Sequence, residues 1–239
     1  MIDLHCHYLP GIDDGAQTLQ EGLALAKAAV ADGISAAAMT PHVHPGRYEN
    51  SASTIMQAVT EFRRELAAAE IPLAIYPAGE VRLSSEIMDM VEADELPYLG
   101  ALEGYRIVLL EFPHNHIPVG SDKLVRWLLQ HNVRPMIAHP ERNKEIMQNI
   151  GKLQPFVAMG CMLQVTAASV IGHFGMAAQA CVSELLTRDW VTVIATDSHN
   201  LENRPPVMSL ARQHLIQQDA ESLAIRLMQT MPRKILGSL

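Results

Sequence analysis

Short apolar runs alternate with longer amphipathic stretches along the whole chain. Residues 2–4, 35–39, 73–77, 106–110, 133–138, 161–165 and 190–195 read as seven strands, because each run is brief and gives way to polar, Pro or Gly residues. Between and after them, 19–31, 53–69, 122–130, 144–150, 153–159, 175–186, 206–217 and 220–231 carry helical periodicity. Asp32-Gly33 reads as the stop of the first helix, and Ser121 as a cap for the helix that follows it. Strands separated by helices pair in parallel. Seven such strands predict an α/β fold closed into a (β/α) barrel; an open doubly wound sheet is the alternative. No repeat, low-complexity tract or linker interrupts the pattern, so 1–239 is expected to be a single domain.

The polar residues with useful chemistry sit where the apolar runs end. His5 and His7 end the first run; His42 and His44 follow the second. Glu80 follows the third, Glu111 the fourth and His139 the fifth; Asp197 and His199 follow the last. In a parallel barrel these positions form the C-terminal rim, so residues distant in sequence would converge on one mouth. Eleven His in 239 residues give roughly 0.5 His-X-His pairs by chance, and three occur. The pair His114/His116 lies in a loop after Pro113 and reads as solvated. His5/His7 is different: a period of two puts both imidazoles on one strand face and Cys6 on the other. Asp197-Ser198-His199 repeats that geometry. Gly79 allows close backbone approach before Glu80. Glu111 follows Val108-Leu109-Leu110, where a carboxylate is costly unless paired or cation-bound. In Gly11-Ile12-Asp13-Asp14-Gly15, Asp14 is a further candidate and Asp13 reads as a turn residue. Imidazoles mixed with carboxylates, without a Cys set, suit Mn, Fe or Zn, and nine ligands suit two or three ions. Arg142 and Arg204 follow two ligand positions and offer planar forks for phosphate oxygens. Arg47 and Tyr48 are weaker candidates for the mouth.

Composition narrows the field. The chain is 49% hydrophobic and 18% charged, which excludes disorder, and its formal charge of −8 disfavours nucleic-acid or anionic-membrane binding. Cys6, Cys161 and Cys181 are odd in number and far apart, as expected for reduced thiols. No apolar run approaches a membrane span, and the first residues lack a signal-peptide pattern, so a cytoplasmic location without membrane insertion is expected.

The joint set His5-Cys6-His7, Asp13-Asp14-Gly15, Thr40-Pro41-His42, Ala78-Gly79-Glu80-Val81, Leu110-Glu111-Phe112-Pro113, His139-Pro140-Glu141-Arg142 and Ala195-Thr196-Asp197-Ser198-His199 resembles the polymerase-and-histidinol-phosphatase (PHP) superfamily. Within it, the chain is most similar to the CpsB/YwqE type, the manganese-dependent protein-tyrosine phosphatases of capsule and exopolysaccharide operons. The resemblance runs to about Arg204 and includes 232–236. It implies a distorted TIM-like (β/α)7 barrel and a trinuclear centre. One ion would be held by His5, His7, Glu80 and Asp197; a second would share Glu80 and add Glu111 and His139; a third would use Asp14, His42 and His199. Relatives often carry adjacent His after Thr-Pro-His, whereas Val43 separates His42 from His44 here.

The implied activity is hydrolysis of phosphotyrosine in proteins by metal-activated hydroxide, with two or three divalent ions, Mn foremost and Fe, Zn or Mg as alternatives. Arg142 and Arg204 would stabilise the phosphoryl charge, and His44 would assist the leaving phenolate. The resemblance suggests a polysaccharide-export tyrosine kinase as substrate and admits an oligomer. The competing readings are a PHP-type phosphatase of a small metabolite such as histidinol phosphate, a phosphodiesterase, an amidohydrolase, and a non-enzymatic metal-binding scaffold. The amidohydrolase wants a Lys at a strand end, and none is found. The scaffold reading wants a degenerate site, and every ligand position is filled.

Overall fold

The computed structural model describes residues 1–237. The strands are β1 (Ile2–Cys6), β2 (Ala36–Met39), β3 (His42–Val43), β4 (Ala74–Pro77), β5 (Glu80–Arg82), β6 (Gly100–Leu102), β7 (Tyr105–Glu111), β8 (Val133–Ala138), β9 (Met162–Thr166) and β10 (Val193–Ala195). The helices are α1 (Leu19–Ala31), α2 (Ala52–Ala68), α3 (Glu86–Glu92), α4 (Ser121–Gln130), α5 (Lys144–Gln148), α6 (Gln154–Ala158), α7 (Ala167–Val170), α8 (Met176–Thr187), α9 (Ser209–Gln217), α10 (Glu221–Ile225) and α11 (Met231–Leu236). Among the described residues no helix is long and apolar enough to cross a membrane.

The regular ladders form two parallel sets, β1-β2-β4 and β10-β9-β8-β7-β5-β3, with β6 antiparallel on β7. β2 and β3 are one run broken at Thr40-Pro41, and β4 and β5 one run broken at Ala78-Gly79. The two sets therefore share two runs. Beyond β10 the ring continues to β1 through a parallel bridge between Cys6 and Ser198, with Asp197 N–H donating to the His5 carbonyl at 2.7 Å and His7 N–H to the Ser198 carbonyl at 3.0 Å. Seven runs thus make the distorted (β/α)7 barrel, each followed by at least one helix. The breaks explain why β3 and β5 are not legible as strands: two and three residues carry no period.

Two apolar clusters lie on the two sides of this ring. One packs Val108, Leu110, Ile137, Val165 and Ile194 against helix residues such as Phe62, Leu128 and Val182. The other contains Leu4, Leu109, Met136, Ala195 and, at its base, Ile235 and Leu236 of α11. Along several runs this second face continues, two residues further on, into the polar site: Leu109 to Glu111, Met162 to Gln164, Ala78 to Glu80, Ala195 to Asp197. The period of two carries that side from apolar to ligating. β1 differs. Its register shifts between Asp3 and Cys6, and the face passes from Ile2 and Leu4 to His5 and His7. Such an irregularity re-aims side chains beside functional sites.

The helix ends follow local chemistry. The Thr18 side chain accepts from Glu21 N–H at the start of α1, and Ser51 with Thr54 forms a capping box for α2. Ser121 is not the cap: Gly120 takes that place, and the Ser121 hydroxyl donates to the Pro118 carbonyl. The expected helix over 220–231 is divided into α10, a π turn over 226–230 and α11.

Candidate metal centre

His5, His7, Glu80 and Asp197 meet inside the barrel mouth. His5 Nε2 lies 3.2 Å from both Glu80 Oε2 and Asp197 Oδ1; His7 Nε2 lies 3.6 and 3.4 Å from the same oxygens. All four are buried. A second group gathers His7, Asp14, His42 and His199, with His42 Nε2 3.2 Å and His199 Nε2 3.5 Å from Asp14 Oδ1. A third joins Glu80, Glu111 and His42. His139 stands beside this third group and donates from Nε2 to Glu80 Oε1 at 2.7 Å. All nine expected ligand positions therefore come to one mouth, with His42 where His139 was expected beside Glu111. Glu111 also accepts from Arg82 at 2.9 Å.

Three imidazoles have their tautomer set by a neighbour. His7 Nδ1 donates to Asp13 Oδ2 at 2.7 Å, His5 Nδ1 to Gln164 Oε1 at 2.9 Å, and His199 Nδ1 to the Asp197 carbonyl at 3.1 Å. Each arrangement makes Nε2 the nitrogen that offers a lone pair once the ring is neutral. Those three Nε2 atoms, together with Glu80 Oε2 and Asp197 Oδ1, are buried without hydrogen-bond partners. Five orphaned polar atoms in one place are costly unless a cation receives them.

The electrostatics point the same way. Burial opposes a charge on His5, but Glu80 and Asp197 outweigh it and push its pKa up to about 9. Burial likewise opposes charge on His42, yet Glu80 and Asp14 raise it to about 11. Despite the desolvation that burial imposes, His5 and the other surrounding cations hold Glu80 and Asp197 well below the usual carboxylate range. The His199 and His42 imidazoles set against its carboxylate hold Asp14 below it too. His199 is driven down to about 4, first by burial and then by His7, so it stays neutral. The pocket demands positive charge, and imidazolium groups supply it here. Divalent cations would supply that charge instead and release the imidazolium protons, so the donor set of imidazole nitrogens and carboxylate oxygens fits them.

The backbone is strained where ligands leave the strands. His139 has φ +31° and Asp197 φ +53°, conformations sparsely used by non-glycine residues and concentrated at functional sites. Gly15 admits no Cβ, which would overlap the His7 carbonyl oxygen. A Cβ on Gly79 would lie 2.5 Å from Pro97 Cγ, the close approach expected there.

Arg142 and Arg204 both donate to Asp197 Oδ2. They line a cavity of about 310 Å³ with Asp14, His42, His44, Glu80 and Glu111, and with Arg47, Tyr48, Arg82, His114 and His139. The Tyr48 ring stacks on His42 with centroids 5.5 Å apart. His44 is half-buried on this wall, and its pKa is lowered first by burial and then by Arg82. His114 reaches the rim; His116 is exposed in the loop. Asp13, read from the sequence as a turn residue, is buried: it forms the turn by accepting from Gly15 N–H, and it also holds His7 and accepts from His42 N–H. Gln164 was missed, although a Gln inside the apolar run Met162-Leu163-Gln164-Val165 was a visible signal. Glu141, fully buried, was missed as well.

A family model described as capsular polysaccharide synthesis, CpsB/CapC, matches residues 1–237. The tyrosine-protein phosphatase YwqE of Bacillus subtilis is 35% identical over 205 residues, 85% of this chain and 79% of that protein. The tyrosine-protein phosphatase CpsB of Streptococcus pneumoniae is 27% identical over 245 residues, 99% and 98% of the two chains. A chain from the crystal structures of these metal-dependent tyrosine phosphatases, YwqE and CpsB, superposes with a TM-score of 0.90 at 30% identity, covering 100% of this chain and 95% of that one. The phosphotriesterase homology protein of Escherichia coli shares the fold alone, with a TM-score of 0.62 at 11% identity over 98% of each chain.

Proposed function

The chain belongs to the CpsB/CapC family of capsular polysaccharide synthesis, and from that premise we propose that it is a metal-dependent phosphatase of phosphotyrosine in proteins. The observation that carries this reading is the convergence of five buried, unpartnered donor atoms beside two arginines on a cavity wall. His5, His7, Glu80 and Asp197 would hold one ion; Glu80, Glu111 and His139 would hold a second; Asp14, His42 and His199 would hold a third. On this reading the site would take two or three divalent ions, Mn foremost. Divalent cations there supply Lewis acidity toward the phosphate ester and acidify water.

The chain's own residues do the rest. Asp13, Gln164 and the Asp197 carbonyl keep His7, His5 and His199 in the ligating tautomer. Arg142 and Arg204, held at Asp197, direct their remaining N–H groups to the phosphoryl oxygens and stabilise the charge that spreads over them in the transition state. His44, neutral at pH 7, is a hydrogen-bond partner for the leaving phenolate, which needs little protonation because its pKa is near 10. The three cysteines are buried, and burial raises their thiol pKa values, so the nucleophile is water and not a thiolate.

In the cell this reading places the chain in the cytoplasm, acting on a tyrosine kinase of polysaccharide export, as a single domain that can assemble with copies of itself. The test is metal content of protein purified without chelators, combined with hydrolysis of a phosphotyrosine peptide. We expect two or three ions per chain and activity abolished by chelation but insensitive to orthovanadate. Activity that survives exhaustive chelation refutes the metal requirement. A kcat/KM on histidinol phosphate equal to that on phosphotyrosine peptides refutes the protein substrate.

A further inference from the structure

Arg142 and Arg204 come from different loops yet meet on one carboxylate oxygen, and long side chains do not hold such a geometry unaided. We propose that the segment 171–175 is the positioning element for both arginines, acting through Phe174 on Arg142 and through His173 on Arg204. The proposal rests on the reading of these arginines as the phosphoryl-binding cations.

Two contacts made by adjacent residues carry it. The Arg142 guanidinium carbon lies 4.8 Å from the Phe174 ring centroid. His173 Nε2 donates to the Asn203 carbonyl at 3.0 Å, one residue before Arg204. The Asn203 loop is itself a tight turn: Asn200 Oδ1 accepts from the N–H groups of Glu202, Asn203 and Arg204. His173 is therefore a tether from outside onto a turn closed by its own hydrogen bonds. The two positioning rings also touch each other edge to face, with centroids 5.5 Å apart at 84°.

The far end of the segment is anchored to Arg142's own turn. Glu141 accepts from Thr166 N–H at 2.9 Å and from the Ser169 hydroxyl at 2.7 Å, which fixes α7 to residues 140–142. The chain then leaves α7, passes through 171–175, and returns to place Phe174 against the neighbour of Glu141. Arg142 is thus held from two sides, through Glu141 along the chain and through Phe174 at the guanidinium. Phe174 is not among the residues lining the cavity that Arg142 and Arg204 line, so its contact with the guanidinium is that of a support and not of a wall. A cation held over a ring face makes no hydrogen bond to it, so the contact leaves the guanidinium N–H groups for oxygen acceptors such as a phosphoryl group.

The experiment measures kcat and KM on a phosphotyrosine peptide, with metal content, for Phe174→Ala, Phe174→Tyr and His173→Ala. Each is made alone and in Arg142→Ala or Arg204→Ala backgrounds. Phe174→Ala should lower kcat roughly tenfold by misplacing Arg142, with KM and metal content close to the parent, and Phe174→Tyr should restore most of the loss. In the Arg142→Ala background the Phe174→Ala effect should vanish, because its only route is gone. His173→Ala should give a smaller loss that vanishes in the Arg204→Ala background. The proposal fails if Phe174→Ala matches the parent, if its loss persists without Arg142, or if it raises KM alone, which marks a substrate contact. Parent-like activity of Arg142→Ala would bring down the arginine reading itself and this inference with it. Additive losses would bring down the inference alone.

Discussion

Asp13→Asn is nearly isosteric, keeps a good turn former, and should still damage the metal centre. Asp13 uses both oxygens: Oδ2 accepts from His7 Nδ1 at 2.7 Å and His42 N–H at 3.0 Å, and Oδ1 accepts from Gly15 N–H at 2.9 Å. Asn has one acceptor. If it faces His7, its NH2 meets the Gly15 N–H, donor against donor, at a cost of about 1–3 kcal/mol for a buried unsatisfied donor. If it faces Gly15, its NH2 meets His7 Nδ1, which must then become the acceptor. The proton moves to Nε2, and His7 can no longer ligate.

The first outcome disturbs the turn that carries Asp14, and the second removes the orienting partner of His7; both lower metal affinity, by roughly 10–100-fold where a ligating His loses its partner. That equals about 1.4–2.7 kcal/mol. The assay is competition for the ion against a chromogenic chelator, beside kcat at saturating metal and the melting temperature of the chelated protein. We expect Asn to be as damaging to metal affinity as Ala, with the chelated protein still folded. A role in the turn alone predicts the opposite order, because Asn keeps the Gly15 bond. Parent-like affinity in Asp13→Asn would refute the claim that Asp13 selects the His7 tautomer.

Arg142→Ala and Arg204→Ala should each lower kcat on the order of 10²–10³-fold with metal stoichiometry unchanged; loss of bound metal in either would mark it as structural. In the metal-free protein the His5 pKa of about 9 lies above its ordinary value, so the stability from that proton is complete below about pH 6.5 and is lost as pH rises through 9. His199, at about 4, has the opposite sign: its contribution is complete above about pH 6.5 and lost as pH falls through 4. Metal-free melting temperatures should therefore fall on both sides of neutrality. Ion binding between pH 6.5 and 9 should release protons, with affinity rising up to about tenfold per pH unit for each proton displaced. Calorimetry in buffers of different ionisation enthalpy counts them, and zero release contradicts the charge state described for His5 and His42. Gly15→Ala should weaken metal binding, since its Cβ would overlap the His7 carbonyl and force the Asp13-Asp14 turn aside; an unchanged affinity rules out that coupling.

The residues of the centre were legible because strand parity and run endings decide which side chains can meet. His5 and His7 share a face, and Glu111, Asp197 and Glu80 extend interior positions already marked by Leu109, Ala195 and Ala78. What parity could not carry is the break in β1. Counting from Ile2 and Leu4 alone would send His5 and His7 to the helix side, and only the register shift between Asp3 and Cys6 turns them inward. A shift of that kind depends on neighbours far along the chain, here Thr40, whose hydroxyl meets Cys6 N–H, and Thr196, which donates to Asp3.

The residues that were missed share one physical character. Asp13 and Gln164 orient imidazoles of the site, and Glu141 ties α7 to the turn that carries Arg142, so all three act through other residues. Gln164 is the instructive case. A primary amide buried in a strand must find partners, and its Oε1 takes N–H groups from both His5 and His139, at 2.9 and 3.3 Å. One oxygen therefore fixes a ligand on the first strand and the strained residue that ends β8, two positions that no local pattern connects. An uncharged polar residue inside an otherwise apolar strand is thus a sign of a neighbour needing orientation. By that rule Gln164 belongs to the functional apparatus as firmly as the imidazole it aims, and Asp13, a buried carboxylate in a turn, joins it through its bond to His7.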